Sequence, residues 1–143
     1  FANFHPGGQL GKNLTLNVGD VMQPFDKVAC AAKDNTLREI VFLMTKFPLG
    51  VACVLDSNKL LQGIVTDGDI RRYLNTEGSN LDTPIEVFMT KNPKYINSKC
   101  SLKEALSIME NRPSQISVIP VLSNDNELEG LIRLHDILQA NLS

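Results

Sequence analysis

The feature that most constrains this sequence is an internal repeat. Residues 63–70 read Gly-Ile-Val-Thr-Asp-Gly-Asp-Ile, and 67 residues later positions 130–137 read Gly-Leu-Ile-Arg-Leu-His-Asp-Ile. Over residues 51–70, seven of the twenty positions are identical at that offset, whereas about one match is expected by chance. The chain therefore encodes one structural unit twice.

Each copy contains an amphipathic helix with a capping signal at its start. Thr36 is followed three residues later by Glu39, and Ser101 is followed by Glu104, each just before an apolar stripe. A Ser or Thr with Glu at this spacing predicts a capping box. We expect the Met and aliphatic side chains of these helices to face a core or an interface.

The remaining segments of each copy predict a sheet with helices packed against it. Short apolar runs after turn residues predict strands, and an acidic segment directly after the last strand predicts a helix start. The predicted strands are 27–29, 51–55 and 61–65 in copy one and 94–96, 116–122 and 128–132 in copy two, and the closing helices are 67–74 and 134–141. The predicted fold class is α/β (α+β), with the two repeats packed as a pseudo-symmetric pair and a linker at 75–84.

The composition excludes several classes of partner. A formal net charge of −2, from 14 basic and 16 acidic residues, gives no field that would attract nucleic acid. No apolar run approaches the length of a membrane span, so no membrane partner is expected. Three separated cysteines suggest neither a disulfide framework nor a zinc site, which predicts a reducing, cytoplasmic location and no metal or other cofactor.

The strand-to-helix junction of copy one contains the strongest candidate site residues. Thr66 ends the strand and Asp69 follows in the first helical turn, where a hydroxyl and free N–H groups suit a phosphate and a carboxylate suits a ribose diol. The same pattern also predicts simple helix capping without a ligand. Copy two keeps the acid as Asp136 but replaces the threonine with Arg133, which can donate two parallel hydrogen bonds to a phosphate or carboxylate.

The other polar candidates are less specific. Arg71 and Arg72 follow Asp69 on the same helix, where a solvated face is the better interpretation for at least one of them. His135 is either an exposed helix residue or a ligand contact. His5 lies in the Gly- and Pro-rich segment 1–12, and a single histidine without a neighbouring base or nucleophile is weak evidence for catalysis. The common hydrolase and NTPase motifs are absent.

Two copies of about sixty residues that each end in Gly-apolar-apolar-x-x-x-Asp-Ile resemble a pair of CBS domains, also called a Bateman module. The resemblance covers residues 18–142 and implies CBS domains at 18–76 and 77–143. In that family, nucleotides bind in clefts between the copies, with the junction Thr and Asp holding phosphate and ribose. It implies ligand-binding roles for Thr66 and Asp69, and in part for Asp136.

The leading segment Phe-His-Pro-Gly-Gly-Gln-Leu-Gly-Lys at 4–12 is similar to the junction in D-arabinose 5-phosphate isomerases, in which a sugar-isomerase domain precedes a CBS pair. The resemblance implies that residues 1–17 are the tail of that domain and its linker, with His5 a remnant of the active site. One histidine cannot perform the enediol chemistry, so we expect this chain alone not to be catalytic.

These resemblances imply a regulatory role in Kdo synthesis for lipopolysaccharide or capsule. The expected ligand is CMP-Kdo, AMP or ATP, and the CBS pair is expected to form a homodimer within a parent that is a tetramer. The alternative is a CBS pair that binds no ligand and only mediates dimerisation.

Overall fold

The repeat folds into two compact units, each built around a four-stranded sheet. The structure is a computed structural model that describes residues 16–110 and 116–142. The α-helices are Val18–Val21 (α1), Leu37–Lys46 (α2), Asp67–Leu74 (α3), Leu102–Glu110 (α4) and Leu134–Leu142 (α5). The strands are Gln23–Pro24 (β1), Ala29–Ala31 (β2), Val51–Leu55 (β3), Leu61–Thr66 (β4), Thr90–Lys91 (β5), Ile96–Asn97 (β6), Val118–Leu122 (β7) and Leu128–Arg133 (β8).

The first unit comprises residues 26–93 and 126–128. Its strand order is β2-β3-β4-β5, with β2 parallel to β3 and β4 antiparallel to both of its neighbours. Apolar side chains from α2 and from strands β2, β3 and β4 form its core, including Leu37, Ile40, Val54 and Val65, which have no exposed surface. Burying each such side chain stabilises the unit by about 1.5–3 kcal/mol before chain entropy is counted.

The second unit contains the described residues 16–25, 94–110, 116–125 and 129–142. Its strand order is β1-β8-β7-β6, with β6 parallel to β7 and β1 antiparallel to β8. Its core is formed by fully buried side chains that include Val18, Leu102, Ile119 and Ile132. The two units therefore repeat one architecture, as the sequence repeat predicted.

The short strands β1 and β5 exchange places between the two copies. β1 comes from copy one but pairs with β8 of copy two, and β5 comes from copy two but pairs with β4 of copy one. The registers are equivalent, because Gln23 lies opposite Leu131 and Thr90 lies opposite Ile64, with both members of each pair shifted by 67 residues. Each unit therefore contains residues from both copies of the repeat.

The predicted fold class is confirmed, and both predicted capping boxes are present. The Thr36 hydroxyl accepts from Glu39 N at 3.2 Å, and the Ser101 hydroxyl accepts from Glu104 N at 3.1 Å. The strand predicted at 27–29 lies two residues later, because the 3-10 helix Phe25–Lys27 occupies its start. The strand predicted at 94–96 is likewise displaced, to Ile96–Asn97.

Two further predictions concern the linker and the domain limits. The linker predicted at 75–84 consists of turns and bends with a single bridge from Pro84 to Thr36. The domain limits 18–76 and 77–143 stay a prediction. None of the helices in the described ranges has the length and apolar character needed to cross a membrane.

Candidate functional site: two strand-to-helix junctions

At the first junction, where β4 runs directly into α3, Thr66 and Asp69 form a reciprocal capping box. The Thr66 hydroxyl accepts from Asp69 N at 3.1 Å, and the Asp69 carboxylate accepts from Thr66 N at 2.9 Å. Two backbone donors that the helix start would leave unpaired are thereby satisfied. The sequence prediction that both side chains face the same side is confirmed, and so is the capping interpretation.

The Asp69 carboxylate is buried and has two further partners. Arg72 Nη2 donates to Oδ1 at 2.6 Å, and the Thr90 hydroxyl lies 3.1 Å from both carboxylate oxygens. The Asp69 side chain is 6% exposed, whereas that of Arg72 is 73% exposed. Water therefore screens the guanidinium, and an ion pair of this kind contributes at most about 1 kcal/mol.

At the second junction, where β8 runs into α5, the Asp136 carboxylate accepts hydrogen bonds from four N–H donors. Its carboxylate accepts from Arg133 N at 3.0 Å, from Arg133 Nε at 3.1 Å and from Arg133 Nη2 at 2.8 Å. Gln23 Nε2 supplies a fourth bond at 2.9 Å. The guanidinium that was predicted to bind an anionic ligand is thus already engaged with the carboxylate three residues away.

The electrostatics of the second junction follow from this arrangement. The Arg133 side chain is 25% exposed, so its ion pair with Asp136 is less screened than the pair at the first junction. Burial raises the pKa of Asp136, but the hydrogen bonds from Arg133 and Gln23 outweigh it and hold the pKa below its ordinary value. The hydrogen bond to Asp136 raises the pKa of Arg133. Both groups are therefore charged at neutral pH.

The donor counts of the two junctions differ. An ionised carboxylate has about four lone-pair positions for hydrogen bonds. Among the described residues, Asp136 receives four N–H groups. Asp69 receives two N–H groups and the single hydrogen of Thr90, which both oxygens share. Counted over the described residues, these donors leave one acceptor position open on Asp69 and none on Asp136.

Each junction requires a glycine because the exchanged strand, β5 at Gly63 and β1 at Gly130, passes close to the glycine backbone. A Cβ at Gly63 would lie 2.7 Å from the carbonyl oxygen of Thr90, and a Cβ at Gly130 would overlap the carbonyl oxygen of Gln23. The repeated glycine is therefore a site of close backbone approach. This approach brings the Thr90 hydroxyl and the Gln23 amide within reach of the two carboxylates.

Sequence reasoning missed Gln23 and Thr90. These residues occupy the same position of the repeat, 67 residues apart, each directly after a repeated Met. That equivalence was readable in the sequence, but the exchange of β1 and β5 that brings each residue to the other copy's Asp was not.

The other predicted site residues lie around or outside the two junctions. Arg71 and His135 are exposed residues of α3 and α5, and no described contact brings either to a junction carboxylate. Arg72 reaches Asp69, as described above. His5 lies outside the residues that the structure describes, and so does most of the segment 1–17 assigned to an upstream domain.

Comparison with known proteins places both junctions inside a recurring domain. A family model described as CBS domain matches residues 18–76 and 85–143. An uncharacterized protein of Rickettsia prowazekii (strain Madrid E) is 37% identical over 143 residues, which is 100% of this chain and 43% of that protein. Arabinose 5-phosphate isomerase KdsD of Escherichia coli (strain K12) is 33% identical over 142 residues, 99% of this chain and 42% of the isomerase. The chain thus spans about two fifths of the length of these curated relatives.

Solved structures share the fold. CBSX2 in complex with AMP superposes with a TM-score of 0.76 at 21% identity, covering 88% of this chain and 96% of that one. The CBS domain pair of protein MJ0100, in complex with 5′-methylthioadenosine and S-adenosyl-L-methionine, also gives a TM-score of 0.76 at 21% identity, covering 87% and 94%. At these identities the likeness shows the fold alone.

Proposed function

Because this chain belongs to the CBS-domain family, as a tandem CBS pair, we propose that it is the nucleotide-sensing regulatory part of an arabinose 5-phosphate isomerase. The alignment with KdsD over 99% of this chain supports the choice of parent enzyme. We propose that an upstream sugar-isomerase domain interconverts D-ribulose 5-phosphate and D-arabinose 5-phosphate in the cytoplasm for Kdo, and hence for lipopolysaccharide or capsule. The CBS pair then reports the level of a nucleotide to that domain.

The observation that carries the sensing role is the buried carboxylate repeated at the two junctions. A buried ionised Asp accepts hydrogen bonds strongly, and a ribose presents two adjacent hydroxyl donors. The CBSX2 structure contains AMP, and the MJ0100 structure contains 5′-methylthioadenosine and S-adenosyl-L-methionine, which supports a nucleoside as the ligand class. AMP, ATP and CMP-Kdo all contain a ribose diol, and the proposal covers all three.

The two junctions should not bind such a ligand equally. Asp69 has an open acceptor position, and its partner Arg72 is exposed and can leave at small cost. Asp136 has no open position, and its partner Arg133 is three-quarters buried. We therefore assign the ribose diol to Asp69, with Thr66 beside it, and give Asp136 and Arg133 a mainly structural role.

Thermal melting of the chain with AMP, ATP and CMP-Kdo tests this proposal. A ligand present at a hundredfold its Kd should add about 2.7 kcal/mol of stability. We expect Asp69→Asn to abolish the ligand-induced shift and Asp136→Asn to keep it, although each variant is less stable without ligand. The matched control is Asp82→Asn, which changes an exposed carboxylate that pairs only loosely with Arg38 at 3.7 Å.

The results separate the possibilities. A shift that survives Asp69→Asn but is lost in Asp136→Asn contradicts the assignment of the ribose. A shift unaffected by either variant means that a nucleotide binds elsewhere on the chain. If no compound shifts the melting of the wild-type chain, nucleotide sensing is rejected.

A ligand-free dimerisation module is the second candidate, and a specific observation favours it. Phe42 on α2 is 71% exposed and its neighbour Val41 is 42% exposed. Adjacent apolar side chains of this kind on a helix are common at protein interfaces. Under this alternative, Phe42→Glu converts a homodimer to a monomer in sedimentation experiments, and no nucleotide changes the melting temperature.

A further inference from the structure

Cys30 and Cys53 lie directly opposite each other on neighbouring strands. β2 and β3 are parallel, and their register pairs Cys30 with Cys53. The residues on either side of each cysteine pack in the core of the first unit, and these are Ala29, Ala31, Ala52 and Val54. Because side chains alternate along a strand, both thiols project from the opposite face of the sheet. The fold therefore brings two cysteines distant in sequence to one place.

The spacing of the strands leaves room for a cation between two opposed thiols. Neighbouring strands lie about 4.8 Å apart. Both cysteines are free in the structure. A metal–thiolate bond is about 2.3 Å long, so two such bonds in a line span about 4.6 Å, close to the strand spacing.

The two cysteines differ in their exposure to solvent. Cys53 has no exposed surface, and Cys30 is partly exposed. The Cys30 thiol makes only a weak contact with the Val28 carbonyl, at 3.7 Å, so it can turn without losing a strong hydrogen bond. Burial raises the pKa of Cys30, and burial together with the nearby Cys30 raises the pKa of Cys53. Neither thiol is therefore a reactive thiolate unless a cation replaces its proton.

We propose that Cys30 and Cys53 form a two-coordinate site for a soft monovalent cation of the Cu(I) class. Thiolates favour soft metals, among them Cu(I), Zn²⁺ and iron–sulfur clusters, and of these Cu(I) is the one that two thiolates alone can hold. Binding forms two metal–sulfur bonds and releases the two S–H protons to solvent, and the metal keeps its oxidation state, so no oxidant is required. Within 16–110 and 116–142 there is no cluster of three or more His, Cys, Asp or Glu side chains that could hold a metal, which disfavours a four-coordinate ion such as Zn²⁺ at this place.

An anaerobic competition titration tests the site with Cu(I) itself. The chain is titrated with Cu(I) against a chromogenic Cu(I) chelator, and the remaining free thiols are counted with a thiol reagent. We expect about one Cu(I) per chain, with two of the three thiols protected from the reagent. Cys30→Ala and Cys53→Ala should each abolish Cu(I) binding at a chelator concentration at which the wild-type chain still retains Cu(I).

Cys100→Ala is the matched control, because Cys100 is also partly buried but belongs to the second unit. It should bind Cu(I) as wild type does, and far-UV circular dichroism of all three variants verifies that each is folded. Wild-type binding by Cys30→Ala, loss of binding in Cys100→Ala, or failure of the wild-type chain to compete with the chelator would each refute the site. The CBS assignment and the nucleotide proposal do not depend on this result.

Discussion

Replacing Gly63 with alanine tests most directly how the first junction is built. The new Cβ would lie 2.7 Å from the Thr90 carbonyl oxygen and 3.1 Å from Met89 Sδ. Ordinary carbon–oxygen contacts between strands are about 3.3–3.6 Å, so the backbone of β5 must move by roughly 0.6 Å or more. The pairing of β5 with β4 resists that movement.

The magnitude follows from two contributions. Overpacking of this kind costs about 1–3 kcal/mol. Displacing Thr90 also lengthens its 3.1 Å bonds to Asp69, and a lost hydrogen bond of this type costs about 1 kcal/mol. We therefore expect Gly63→Ala to lower the free energy of unfolding by about 2–4 kcal/mol, which is about 6–12 °C in melting temperature at roughly 3 °C per kcal/mol for a chain of this size.

Gly68→Ala is the matched control, since it makes the same chemical change five residues later. Gly68 lies inside α3, and its new Cβ would approach the flexible end of the Arg72 side chain at 3.3 Å and make an ordinary contact with the Thr66 hydroxyl at 3.6 Å. Alanine is favoured over glycine in a helix by up to about 1 kcal/mol, so this variant should be as stable as wild type or more stable.

Urea denaturation followed by far-UV circular dichroism measures both free energies. Gly130→Ala, the repeat equivalent of Gly63→Ala, should be at least as damaging, because its Cβ would overlap the Gln23 carbonyl. Equal stability of Gly63→Ala and Gly68→Ala would refute the close approach of β5, and with it the account of how Thr90 reaches Asp69.

Two further predictions concern the caps and the buried carboxylate. Thr36→Ala removes the side-chain acceptor of the Glu39 N–H and should lower the free energy of unfolding, measured in urea, by about 1 kcal/mol. Thr36→Ser keeps the hydroxyl and should preserve the wild-type stability, so equal losses in the two variants would contradict a capping role. Because the folded-state pKa of Asp136 is lowered, its stabilisation should be complete above the ordinary Asp pKa of about 3.9 and be lost as pH falls through the lower folded value. The difference in the free energy of unfolding between wild type and Asp136→Asn should therefore shrink as the pH falls from 5 to 2. A difference that stays constant over this range would contradict the lowered pKa of Asp136.

The local elements could be predicted from the sequence because their signals are local. The spacing of Thr36 and Glu39 predicts the first capping box, and the alternation of apolar runs and turn residues predicts the hairpin of β3 and β4. The strand predicted at 27–29 was displaced because β2 begins only after the 3-10 helix at Phe25–Lys27, and a single turn of this kind leaves little periodicity in the sequence. Short strands depend on their partners more than on their own residues.

The exchange of β1 and β5 could not be predicted, because it is a choice between two nearly equivalent partners. The registers of these strands on β8 and β4 are related by the repeat itself, so the local sequence would suit either copy. What the repeated glycine does was equally hidden. Gly63 and Gly130 lie inside the predicted strands 61–65 and 128–132 with no role assigned to them, and in the structure they are the places where the exchanged strand comes close.

The divergence between the two copies becomes clear once the exchange is known. Besides the contact of Arg72 with Asp69, the junction carboxylate is contacted from two strand positions of the repeat, one on its own strand and one on the exchanged strand, and both positions differ between the copies. The first junction has Thr66 and Thr90, two short hydroxyl side chains, and the second has Arg133 and Gln23, two long donors. The short pair leaves an acceptor position of Asp69 open, and the long pair saturates Asp136. The residue differences at these two positions therefore have one combined effect. Asp69 keeps an acceptor position for a ligand, whereas Asp136 uses its acceptor positions in hydrogen bonds within the protein.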